Sequence, residues 1–178
     1  MKTLARALFA VWIIGAAASE AVARVSSPSL KTIIREADVI VMVRVATITS
    51  GPSDLRVATT DVLEVWKGAP DSIVMYRASP EFACDMSTAV VGQTVVLFLG
   101  ASDGSNTRTI LHAGRGQMII EELDGETLAS LVGVVLPDAL VKLDRLKPPM
   151  PARSSIPVND LKIYVIERLK NAPKKAAQ

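Results

Sequence analysis

ADVIVMVRVATI, residues 37–48, sets Val39, Val41, Val43 and Val45 on one side of an extended chain and Ile40, Met42, Arg44 and Ala46 on the other. Side chains of a strand alternate between two faces, so this stretch reads as a β-strand with its valine face turned to a core and Arg44 emerging at the rim. Further β-branched runs follow at 56–67 (RVATTDVLEVWK), 72–78 (SIVMYRA) and 94–99 (TVVLFL). Gly51-Pro52-Ser53-Asp54 and Gly68-Ala69-Pro70-Asp71 separate the first three. Apolar runs cut by such turn formers predict a meander of antiparallel strands. In the second run the apolar spacing slips from two to three between Val62 and Val65, which predicts a bulge near Leu63-Glu64 and the bend that barrel closure requires. The run at 94–99 has no polar face and reads as a central, buried strand.

The rest of the chain is built around that meander. Residues 79–92, SPEFACDMSTAVVG, show no period and predict an irregular crossing or a single helical turn. Strands are expected at 108–113 and 117–122, joined by the hairpin turn Gly114-Arg115-Gly116, while 127–135 suits a strand or a helix equally. Ser27 is expected to cap, and Pro28 to open, a short helix with Leu30, Ile33, Ile34 and Ala37 on one face. Residues 147–157 are Pro-rich and read as an extended connector. A second helix is expected over 158–171, with Asn159 as its cap and Leu161, Val165 and Leu169 at a spacing of four, ahead of a flexible tail, 172–178. The fold class is mainly β, a small barrel or sandwich with flanking helices, and 178 residues with 49% hydrophobic side chains suit one core domain, placed at 24–146.

Residues 1–23 have the three parts of a secretory signal: Lys2 and Arg6, an uncharged run over 7–19, and small residues ahead of a cleavage point between Ala23 and Arg24. Thirteen residues are too few to span a bilayer, which takes about 20. The expected location is therefore periplasmic or secreted, with no membrane span in the mature chain. Lys2, Arg6 and Glu20 leave with this segment, so the 20 basic and 18 acidic side chains fall to 18 and 17. That balance gives no argument for nucleic acid, which needs a concentrated positive face. Cys84 is the single cysteine, so it is buried and inert, free and reactive, or paired with a second copy as a disulfide-linked homodimer.

Catalytic chemistry has few candidates. Cys84, His112 and Asp85 form a thiol-hydrolase trio on paper, yet they fall on different elements with no nucleophile-elbow sequence. One Cys and one His do not make a closed zinc site, and Asp103 and Asn106 read as turn formers. No catalytic, cofactor-binding or metal residue is assigned. Trp66 is expected as a core or rim plug, since a lone aromatic makes no stacking platform.

The opening Ala37-Asp38-Val39, the strand end Trp66-Lys67-Gly68, Cys84, and Gly92 ahead of Val95-Val96-Leu97-Phe98-Leu99 together resemble bacterial exported proteins of the netrin-like family, whose domain is shared with the tissue inhibitors of metalloproteinases. The resemblance covers about half the chain, roughly residues 30–122, and implies an OB-type Greek-key barrel of five strands. In those inhibitors an N-terminal Cys-x-Cys anchors the zinc-chelating chain end; here the mature end reads Arg24-Val25-Ser26-Ser27, so no inhibitory residue is carried over. The resulting expectation is an exported, non-enzymatic binding module that meets a protein or envelope component. A protease inhibitor working through a loop or edge strand is the alternative, and a thiol-dependent hydrolase using Cys84 and His112 is a third.

Overall fold

The computed structural model describes residues 27–51, 55–140 and 153–171. The expected signal segment with its expected cleavage point between Ala23 and Arg24, positions 147–152 of the expected connector and the expected tail 172–178 lie outside the described residues. β1 (Val39–Ser50) and β2 (Arg56–Lys67) form a long hairpin, and β3 (Ile73–Arg77) lies against β2. β4 (Thr94–Ser102) returns beside β1, and β5 (Thr107–Ile110) fits between β3 and β4. The ring β1-β2-β3-β5-β4 is closed by the β1–β4 pairing, and within it only β3–β5 is parallel. This is the OB-type Greek-key barrel.

From β4 the wall continues as an antiparallel wing of β6 (Gln117–Leu123), β7 (Glu126–Val132) and β8 (Arg153–Pro157). Two helices, α1 (Leu30–Glu36) and α2 (Val158–Lys170), pack on the outer side. Alternation along β1 and β4 divides the apolar residues into two layers. Val39, Val41, Val43, Val45, Val95, Leu97 and Leu99 fill the barrel with Ala58, Val74 and Tyr76. Ile40, Val96 and Phe98 point the other way and meet Leu30, Ile33, Met118, Ile156, Leu161 and Val165. β1 and β4 are thus walls shared by two cores, which is why 94–99 has no polar face. Arg44 is exposed, as its place in the alternation requires.

The bulge is where the spacing places it. Val43 pairs with Val62 and Met42 with Glu64, leaving Leu63 as the extra residue. A second step, from Val41 opposite Val65 to Ile40 opposite Lys67, skips Trp66, which lies buried in the outer layer.

Several local expectations change. The cap of α1 is Ser29, whose Oγ accepts from Thr32 N at 3.1 Å, and the preceding backbone pairs instead with the chain after β7, through Val135 N to Pro28 O and Leu30 N to Val135 O. Pro28 therefore lies outside the helix. Asn159 is inside α2, which starts after Pro157 without a side-chain cap. The ambiguous 127–135 supplies β7, and the end of the expected connector, 153–157, is β8. An edge strand tolerates Pro157 because no described strand pairs with its outer side and needs that missing N–H. The strand expected at 108–113 stops at Ile110, for reasons that define the site.

Candidate functional site

The aperiodic crossing between β3 and β4 forms turns rather than a helix and covers one end of the barrel. Ala89 enters the barrel core, and the buried Tyr76 hydroxyl donates to Thr88 O at 3.3 Å. Burial pushes the Tyr76 phenol up, so it remains a neutral donor. Gln117 Oε1 accepts from Thr88 N at 3.4 Å, and Met86 N donates to Ala113 O at 3.0 Å. Asp85 sets the inner shape of the crossing. Its Oδ1 takes the N–H and Oγ–H of Ser87 at 2.8 and 2.6 Å, and its Oδ2 takes Glu81 N at 3.0 Å.

Against this crossing the chain leaving β5 makes a left-handed turn. His112, Ala113 and Gly114 have φ of 53°, 55° and 78°, a region that costs residues with a Cβ about 1–3 kcal/mol each. Gly114 explains why the turn is held there. A Cβ on it would lie 2.3 Å from Ser87 N and 2.4 Å from Met86 C, so only glycine lets the two backbones meet. Between crossing and turn is a cleft of 230 Å³, lined by Arg77, Phe82, Ser87, Thr109, Leu111 and His112 among others. Arg77 pairs with Glu81, while its Nε is buried with no acceptor among the described residues. Phe82 is half exposed on the same wall.

The structure brings His112 and Asp85 to this one cleft without making them partners. His112 Nε2 lies 2.9 Å from Glu36 Oε2, at the end of α1. Glu36 also accepts from Arg35 at 2.9 Å, and this hydrogen bond foremost, with His112 beside it, holds its carboxyl below the usual range despite some desolvation. Cys84 is exposed and does not line the cleft, so the buried alternative for this thiol is set aside. Asp103 closes the β4–β5 turn by accepting from the Ser105 hydroxyl at 2.6 Å, from Ser105 N at 2.9 Å and from Thr107 N at 3.0 Å. Those bonds, the hydroxyl's first, hold its carboxyl low. Among the described residues no three of His, Cys, Asp and Glu group as a metal ion would need, and no helix is long and apolar enough to cross a membrane.

Trp66-Lys67-Gly68 has three separate tasks at the corner where α1 enters β1. Trp66 is buried in the outer layer. Lys67 Nζ donates to Ile34 O at 3.0 Å, to Arg35 O at 3.3 Å and to Ala37 O, satisfying carbonyls that the helix end leaves open. Gly68 has φ 82°, and a Cβ there would come within 2.7 Å of Asp38 O. Sequence reasoning missed Arg77, Phe82 and the left-handed character of 112–114. The one signal for them was a fourteen-residue aperiodic connection in an otherwise closely turned chain. No protein-family model matches the chain, and no curated protein does.

Proposed function

We propose that this chain is an exported, non-enzymatic binding module of the netrin-like kind, which takes a protein or envelope component at the cleft between the barrel-end crossing and the left-handed turn. One observation carries the reading: a buried guanidinium N–H of Arg77, which lines the cleft, has no acceptor among the described residues. A donor left in this state costs about 1–3 kcal/mol, and a carbonyl or carboxylate from a ligand relieves that cost. Phe82 beside it supplies an apolar contact of the sort that dominates small interfaces. The non-enzymatic part is supported by the engagement of the candidate catalytic carboxylate elsewhere, Asp85 with Glu81 and Ser87.

Arg77→Met tests this directly. The variant is expected to melt close to wild type, because deleting an unsatisfied donor offsets the loss of the partly exposed pair with Glu81, yet to lose the partner that wild-type protein retains from an envelope extract. Equal capture by wild type and Arg77→Met overturns the reading.

A further inference from the structure

The sheet ends at the outer strand β8, and the closed ring leaves a second open edge along the far end of β1; the two are defended differently. β8 ends in Pro157, a residue that discourages strand addition. β1 is covered by β4 only from Val39 to Arg44. At Val45 the cover ends: its N–H donates to Gln93 O at 2.9 Å, and its C=O accepts from Gly92 N at 2.8 Å. Ala46 is a bulge between the Val45–Thr60 and Thr47–Thr59 pairs, and beyond it residues 47–50, Thr-Ile-Thr-Ser, continue as a strand paired with β2 alone. Gly51 N donates to Leu55 O across the hairpin at 2.7 Å, so by alternation Thr49 and Thr47 turn their backbone groups toward β2. Ile48 and Ser50 turn theirs outward, where no described residue meets them. The segment has no charge and no proline, and Val90 and Val91, 58% and 59% exposed, stand at its foot where β4 begins.

We infer that this edge pairs with the same edge of a second copy of the chain, antiparallel and about a two-fold axis at Ile48. The argument is self-complementarity. In that register Ile48 faces Ile48 of the copy and Thr47 faces Thr49, and the regular ladder ends at the bulge of Ala46. Every cross-strand pair is uncharged, two are Thr–Thr pairs of the favourable sort, and the outward backbone groups of Ile48 are satisfied reciprocally. The exposed valines then lie beside the added strand instead of facing water. This surface is separate from the cleft and does not depend on what the cleft binds.

The test uses the exported form, residues 24–178, carrying Cys84→Ser so that no covalent dimer contributes. Sedimentation across a dilution series is expected to show a reversible monomer–dimer equilibrium. Thr47→Lys with Thr49→Lys puts lysine opposite lysine twice and should weaken association by about tenfold or more. Thr47→Lys with Thr49→Glu puts lysine opposite glutamate twice and should restore it. Both threonine side chains are exposed, so melting curves of the two variants report whether the fold is intact. A monomer at every concentration overturns the inference, as does a Lys/Lys dimer as strong as wild type or a Lys/Glu dimer as weak as the Lys/Lys one.

Discussion

The inside of the barrel and the layer beneath the helices have similar work to do and are built in different ways. The barrel interior consists mostly of valines and leucines from β1 and β4, spaced by two along the sequence, with Tyr76 as its one large aromatic. The outer layer draws its residues from α1, β1, β2, β4, β6, β7, β8 and α2, and it holds Phe98, Trp66, Met118 and Tyr164. Small β-branched residues suit a closed cylinder whose walls are fixed by backbone pairing. Larger side chains fill the uneven space between the sheet and the two helices packed on it. A repeating local pattern makes the first core, and convergence of distant pieces makes the second.

Neighbours on β4 provide the sharpest comparison. Leu97 points into the barrel and Phe98 into the outer layer, both fully buried. Phe98→Ala should cost about 3–5 kcal/mol and Leu97→Ala about 2–5 kcal/mol in denaturant unfolding, each with a single transition, because the layers share one wall. Two separate transitions in Phe98→Ala would falsify that joint behaviour. Gly114→Ala ranks next, since the new methyl group meets Ser87 and Met86 backbone atoms and the native φ is left-handed. A loss of about 2 kcal/mol or more is expected, with the crossing detached and faster amide exchange at Ser87.

Lys67→Met tests the seam between the layers. It removes the ammonium from the end of α1 and should cost about 1–2 kcal/mol, with Lys67→Arg recovering part of it. The smallest effect belongs to Glu36. Its carboxyl titrates lower in the folded protein than in the unfolded chain, so its contribution is complete above the ordinary carboxylate range and disappears as pH falls through the lowered value. Glu36→Gln should therefore lower stability slightly at neutral pH, leave it unchanged below the lowered value, and so flatten the acid limb of a stability profile. A steeper acid limb in the variant contradicts the sign.

What could be read in advance follows the same division. Val39 to Val45, the run at 94–99 and the slip at Leu63 were legible because each is a local departure from, or adherence to, a period of two. β8 was hidden because Pro151 and Pro157 mark a linker to any local reading, and only pairing with β7 makes a strand of that segment. The cleft was hidden for a related reason. Arg77, Phe82 and His112 come from a strand end, an aperiodic crossing and a turn, and nothing within any one of them announces the others. His112 and Ala113 read as a continuing strand because local sequence does not show that Gly114 must pass Ser87 at backbone distance, which turns the chain left-handed two residues early.

The three-carbonyl grip of Lys67 bears on the order of assembly. A helix of seven residues has too few internal bonds to persist alone in water. The lysine that closes it arrives from the far end of β2, about thirty positions downstream. The first helix in the described chain is therefore expected among the later elements to consolidate, waiting until the β1–β2 ribbon has zipped past its bulges. Mutations along that ribbon should slow the helix's appearance, whereas changes on the helix itself should mainly hasten its release.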